Sequence, residues 1–280
     1  MIAEEYKKQI DSAFKKIKDE NIKAGIYEKA SGKSEHEDFW ETYIGNKLLQ
    51  TGKKIIRLKG DGKPDYCIDE GKFKIHIEAK VSTKGNQERN SDLIPKGIPV
   101  YDPEKEDEYN DFSTGFIQNN EHILRFTSTI SELIKKQING SFKKSTTIGK
   151  NDKIILALNG YEVVKDLEVH NGKFVNGIIT TGFSLICAVF GLNGELCCDI
   201  NDGQRYFTKT EPLKRGKKIP NVFFDIGNDT PIDGIIYSNI CKENLISKEP
   251  LFLFVPNPER ENLSYLFPFC KNIGYPLVKV

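Results

Sequence analysis

The chain has 280 residues and a mass of 31.8 kDa, with 38% hydrophobic and 29% charged residues, 23 glycines and 12 prolines. A folded chain of this composition and length buries about 70–75% of its unfolded surface, which excludes a disordered tail, a fibre and a disulfide-stapled miniprotein. Lys and Arg number 41 against 40 Asp and Glu, a formal net charge of +1, so attraction to a polyanion has to come from local patches.

Residues 1–20 are charged from Glu4 onward and lack the apolar stretch of a secretory signal. The longest weakly polar run, Gly182 to Leu192, is about half of the roughly 20 residues that span a bilayer, and reads as a buried strand. Cys67, Cys187, Cys197, Cys198, Cys241 and Cys270 show no CxxC repeat, and His36, His76, His122 and His170 do not cluster with them. Free thiols in a reducing cytoplasm are therefore expected, with no structural zinc and no membrane association.

Tyr6, Ile10, Phe14 and Ile17 recur at helical spacing and predict an amphipathic helix over 3–19. Ser34 followed by Glu37 has the spacing of a capping box, opening a second helix that runs to about Gln50 with Trp40, Tyr43, Ile44 and Leu48 on its apolar side. The period then becomes extended. Strands are predicted over Lys54–Leu58, Asp65–Asp69 and Lys72–Val81, separated by turns at 60–64 and 69–71. In the third strand Phe73, Ile75, Ile77 and Ala79 alternate with Lys74, His76, Glu78 and Lys80, so one face is apolar and the other polar.

A polar stretch from Ser82 to Asp111 contains Pro95, Pro99 and Pro103, and carries six acids and one lysine between Tyr101 and Asp111. Its length exceeds ordinary connections and indicates a functional excursion. A helix is expected over 116–138 and a fully buried strand over Lys153–Leu158. In the second half, Phe183–Phe190, Glu195–Ile200 and Gln204–Thr208 are joined by Leu192-Asn193-Gly194 and Asn201-Asp202-Gly203, the pattern of a β-meander. Two further strands, Gly234–Tyr237 and Leu251–Val255, follow. One elaborated α/β domain over 1–280 is the preferred count, with a core at 34–160 and a sheet extension, for specificity or dimerisation, at 161–280.

The chemistry concentrates on the hairpin. Asp65 opens one strand while Glu78 and Lys80, at i and i+2, share a face of its neighbour. Two carboxylates are the oxygen ligands Mg²⁺ prefers, the Ala79 carbonyl and water supplying further positions. A lysine beside them is suited to orienting or deprotonating a water and offsetting charge at a phosphodiester. The competing explanation is a solvated strand face with a capped turn, which chains rich in charge produce often.

Pro64-Asp65 followed, after twelve residues, by Glu78-Ala79-Lys80 resembles the PD-(D/E)xK nucleases, the restriction-endonuclease-like superfamily. Phe39-Trp40-Glu41, with Leu48-Leu49 and Gly52, is similar to the N-terminal helix of its Mrr-type branch. The resemblance covers less than half the chain. It implies a mixed central sheet flanked by helices, catalysis by Glu41, Asp65, Glu78 and Lys80, and Mg²⁺, or Mn²⁺ in its place, on Asp65, Glu78 and Ala79. Glu37, one turn before Glu41, is the alternative helix carboxylate, and Glu35 a weaker one. The activity implied is hydrolysis of double-stranded DNA by a homodimer, most concretely a type II-like restriction endonuclease; repair, mobile-element and toxin nucleases remain alternatives. DNA binding without turnover and a protein-interaction domain are the readings from other classes.

His76 shares the Glu78 face and borders the site in this reading, although a satisfied core histidine is the ordinary explanation. Lys84, Gln87 and Arg89 follow the catalytic strand closely enough to meet phosphate. Lys143, Lys144, Lys214, Arg215, Lys217 and Lys218 are six cations suited to a DNA backbone without base readout; a solvated surface is the ordinary reading of each group. No GxSxG, GxxxxGK(S/T) or HExxH motif is present, and no organic cofactor is expected.

Overall fold

The structure, a computed structural model, describes residues 2–28, 33–58, 60, 62–83, 126, 129–130, 132–142, 148–162, 168–170, 173–175, 179–180, 183–184, 200–201, 204–205, 230–246, 252–257 and 259–272. Helix α1 (Ile2–Lys23) has Glu4 and Glu5 in its first turn and Lys23 in its last, charges that complement the helix dipole. It buries Ile10 and Phe14, while Tyr6, assigned by spacing to the same stripe, is 40% exposed. Helix α2 (Glu35–Leu49) starts as the spacing predicts. The Glu37 N–H donates to Ser34 Oγ at 3.2 Å, and the Ser34 N–H donates back to the Glu37 carboxylate at 2.8 Å.

The strands follow as β1 (Ile55–Arg57), β2 (Tyr66–Asp69), β3 (Lys74–Val81) and β4 (Lys153–Asn159). Three short pairs come next: β5 (Glu168–His170) with β6 (Lys173–Val175), β7 (Ile179–Thr180) with β8 (Phe183–Ser184), and β9 (Ile200–Asn201) with β10 (Gln204–Arg205). β11 (Gly234–Ser238), β12 (Leu253–Pro256) and β13 (Lys271–Asn272) complete the order. A mixed sheet runs β1-β2-β3-β4-β11-β12-β13, with β1, β2 and β3 antiparallel and β3, β4 and β11 mutually parallel. This is a generic α/β arrangement of mixed sheet and flanking helices.

Chain contacts divide into two units. One comprises residues 1–82, 129–165 and 226–280 and contains the mixed sheet; the other comprises 83–128 and 166–225 and contains the three short pairs. β9 and β10 pair antiparallel, Asn201 with Gln204 and Ile200 with Arg205, at the position of the second expected hairpin. Of the expected strand Phe183–Phe190 only Phe183–Ser184 is described, and it pairs with Ile179–Thr180; the rest of the expected meander, and the excursion from 84 through 111, lie outside the described residues.

In the first unit, α2 lies on one face of the sheet. Phe39, Trp40, Tyr43, Ile44 and Leu48 join Tyr66, Ile68, Ile75, Ile77, Ile155, Ala157, Ile236 and Phe254 in one buried cluster. The Trp40 indole N–H, which burial would otherwise leave without an acceptor, donates to the Ala157 carbonyl at 3.0 Å. Gly45 sits where α2 comes closest to β2: a Cβ there would meet the Tyr66 hydroxyl at 2.6 Å.

The opposite face differs from the sequence expectation. His76 and Glu78 are buried, as are Ile154, Leu156 and Leu158 of β4, so this face of the sheet is covered as well. Ser82, in step with Glu78 and Lys80, hydrogen-bonds Thr129 at 3.0 Å. The helical segment that follows buries Ile130, Leu133, Ile138 and Phe142 and ends as a π-helix, Ile134–Phe142, one turn beyond the predicted end at 138. Among the described residues no helix is long and apolar enough to cross a membrane.

Candidate functional site

Pro64 is buried and fixes the entry to β2, and Asp65 follows it at the strand end. The β2–β3 register ends at Tyr66↔Ile77, so Asp65 and Glu78 are the next residues along the two segments beyond the last pair. Asp65 Oδ2 accepts the Ala79 N–H at 2.9 Å, so the side chain ends the β2–β3 ladder where the backbone of Pro64 turns away. Oδ1 of the same carboxylate lies 3.1 Å from Arg57 Nη1 and 3.8 Å from Lys33 Nζ.

Arg57 ends β1 directly across from Tyr66. Its guanidinium makes an ion pair with Glu41 through Nη2, donates from Nη1 to the Asp65 carboxylate and carbonyl, and lies over the Tyr66 ring at 5.0 Å from the centroid. The other Glu41 oxygen is held by Lys33. The Tyr66 hydroxyl donates to the Glu41 carbonyl at 2.8 Å, tying the helix residue to the strand that carries Asp65. Burial pushes the phenol far above the ordinary tyrosine range, so it acts as a neutral donor. Two carboxylates from different elements are thus joined by one guanidinium, whose planar fork is suited to bridging them.

Glu78 and Lys80 form the second half of the cluster. Glu78 is buried, with Oε1 2.9 Å from Lys80 Nζ, and Lys80 is 36% exposed. Burial alone would lower the lysine pKa, but the charge and hydrogen bond of Glu78, with the charges of Asp65 and Glu37, hold it above the ordinary value. That ammonium stays protonated at neutral pH. Electrostatic coupling of Lys80 to Asp65 and Glu37 links the strand pair to the helix start and to β2.

Of the two helix carboxylates, Glu41 is buried against Arg57 and Lys33 and belongs to the cluster. Glu37 serves the Ser34 cap, and Glu35 is exposed and lies 3.2 Å from Lys242. His76 is occupied elsewhere: its Nε2 is 2.9 Å from Asp152 Oδ2, at the end of β3 remote from Lys80. Lys84, Gln87, Arg89, Lys143, Lys144, Lys214, Arg215, Lys217 and Lys218 lie outside the described residues. Sequence reasoning missed Arg57 and Lys33. Arg57 had a signal, since the hairpin register sets it opposite the residue after Asp65; Lys33 had only its position before the N-cap.

The donor set fits Mg²⁺ in type, because Asp65 and Glu78 carboxylates with the Ala79 carbonyl are hard oxygens and this ion keeps several waters. A third acid does not join them: among the described residues no group of three or more His, Cys, Asp or Glu side chains is placed to hold a metal ion. Glu41 faces its two cations instead.

The His76–Asp152 pair has a measurable consequence of its own. Burial would raise the Asp152 pKa, but the Gly149 N–H, His76 and the Lys74 N–H together hold it below the usual carboxylate value. A depressed folded-state pKa contributes stability above the unfolded value, about 3.9, that is lost as pH falls through the folded value. Asp152→Ala is expected to cost about 1–3 kcal/mol at pH 7, and its urea midpoint to fall less than that of the wild type between pH 5 and the acid limb. Equal slopes for the two proteins would contradict this assignment. No family model, curated protein or solved structure matches the chain.

Proposed function

We propose that this chain is a metal-dependent deoxyribonuclease of the PD-(D/E)xK type, hydrolysing double-stranded DNA as a homodimer. The observation that carries the reading is the Asp65 carboxylate on the Ala79 N–H, with Glu78 and Lys80 flanking Ala79 on the same strand. Asp65, Glu78 and the Ala79 carbonyl would hold Mg²⁺, or Mn²⁺ in its place, which when bound supplies Lewis acidity toward a phosphoryl oxygen. Lys80, kept protonated by Glu78, offers positive charge to the developing phosphorane and orients water by donation; its raised pKa disfavours a role as base. Arg57 and Tyr66 hold Glu41 and Asp65 in position. A restriction enzyme is the most concrete version of the activity.

Purified protein incubated with supercoiled plasmid and Mg²⁺ or Mn²⁺ is expected to nick or linearise it. EDTA is expected to stop the reaction, and an Asp65→Asn, Glu78→Gln, Lys80→Met triple variant to show none. Equal cleavage by wild type and triple variant, or none by either on plasmid and mixed DNA substrates, would overturn the reading. One observation favours DNA binding without turnover as the second reading: Lys33 and Arg57 already neutralise Glu41 and Asp65. It predicts salt-sensitive DNA association with no product at any metal concentration.

A further inference from the structure

Two cations face the Glu41–Asp65 pair, and they are held very differently. Arg57 is 9% exposed in its side chain and is fixed by two carboxylates, a backbone carbonyl and an aromatic face. Lys33 is 30% exposed, reaches Glu41 Oε2 and comes within 3.8 Å of Asp65 Oδ1, on a flexible four-carbon stem. Its backbone is anchored, because Ser34, the next residue, is locked by the reciprocal Ser34–Glu37 cap. The ammonium is therefore tethered close to the carboxylates while its own side chain remains exchangeable.

Charge counting gives this arrangement a direction. Glu41 and Asp65 contribute two negative charges, and Lys33 and Arg57 two positive ones, so the pair is neutral as it stands. A divalent cation at Asp65 with both side-chain cations still in place would leave a net charge of +2 among these groups. The residue least fixed to the site is the one that yields. We infer that Lys33 is a built-in competitor for the metal: together with Arg57 it neutralises Glu41 and Asp65 when no divalent cation is bound, and it is displaced into solvent when one binds. Lys33 thereby sets the metal threshold of the site and keeps its carboxylates from facing each other uncompensated. The inference rests on the proposed reading that a divalent cation binds at Asp65.

Direct Mn²⁺ titration, followed by electron paramagnetic resonance or calorimetry, tests it without any measurement of cleavage. Lys33→Gln is expected to bind Mn²⁺ about tenfold more tightly than wild type, and Lys33→Arg no more tightly than wild type. A second readout uses the unaltered protein: acylation of Lys33, read by mass spectrometry, is expected to rise on saturation with Mn²⁺, while a lysine remote from the site such as Lys53 keeps its rate. Unchanged or weaker Mn²⁺ binding by Lys33→Gln, or Lys33 acylation that ignores Mn²⁺, overturns the inference and leaves metal binding standing. Absence of Mn²⁺ binding in both wild type and Lys33→Gln overturns the nuclease reading with it.

Discussion

Arg57→Met is expected to lower the free energy of unfolding by about 3–5 kcal/mol, the range for removing one partner of a buried charge network. The side chain it removes bridges Glu41 of α2 to Asp65 at the start of β2, and both carboxylates are nearly buried, with side-chain exposures of 9% and 12%. Without the guanidinium, two like charges face each other with Lys33 as the remaining compensation. The packing of Arg57 on Tyr66 is lost as well. Arg57→Lys recovers only part of the loss, because an ammonium on a shorter head cannot serve both carboxylates and the Asp65 carbonyl at once.

Glu41→Gln is the diagnostic second change. In the wild-type background it removes a charge paired by two cations and destabilises; in the Arg57→Met background, where Lys33 alone is left to compensate both carboxylates, it removes the excess negative charge and is expected to recover about 1–2 kcal/mol. The two substitutions are thus strongly non-additive. Urea unfolding of the four proteins at pH 7 measures the coupling. A loss below about 1 kcal/mol for Arg57→Met, with additive effects, would mean that the network behaves as a solvated surface pair.

The elements that the sequence revealed are those with a local cause. Ser34 and Glu37 cap α2 through their own neighbours in the chain, and the alternation in β3 requires nothing beyond residues 74–81. The Asp65–Glu78–Lys80 constellation follows from one hairpin register, which the short connection largely determines. Lys33 and the Glu41 half of the Arg57 bridge depend instead on α2 docking beside β1, a tertiary event without a sequence period. The polar face of β3 misled for a similar reason. Alternation reports which residues share a face, but whether that face meets solvent depends on β4 and the segment around Thr129, and there His76 and Glu78 are buried and compensated by Asp152 and Lys80. β13 was also illegible, since two residues, Lys271 and Asn272, have no detectable pattern until β12 presents an edge for them.

Asp65→Asn is expected to reduce metal-dependent DNA cleavage by a factor on the order of 10³ while the protein remains folded. The amide is nearly isosteric and keeps one oxygen, which retains the acceptor for the Ala79 N–H, now made at 2.9 Å, and so preserves the end of the β2–β3 ladder. It does not keep the negative charge. Mn²⁺ affinity should therefore fall with activity, whereas thermal unfolding should shift by the equivalent of about 1.5–3 kcal/mol, the cost of losing the charged hydrogen bond that Arg57 donates to Oδ1, where the amide nitrogen now stands. Asp65→Ala distinguishes charge from scaffold: it loses the same activity and in addition leaves the Ala79 N–H without its acceptor, so its stability should be lower than that of Asp65→Asn. Cleavage rates, Mn²⁺ binding and unfolding curves on the same preparations separate the two contributions. If Asp65→Asn cleaves within about threefold of wild type while Asp65→Ala unfolds early, the carboxylate is a strand-end fastener and the metal is held elsewhere.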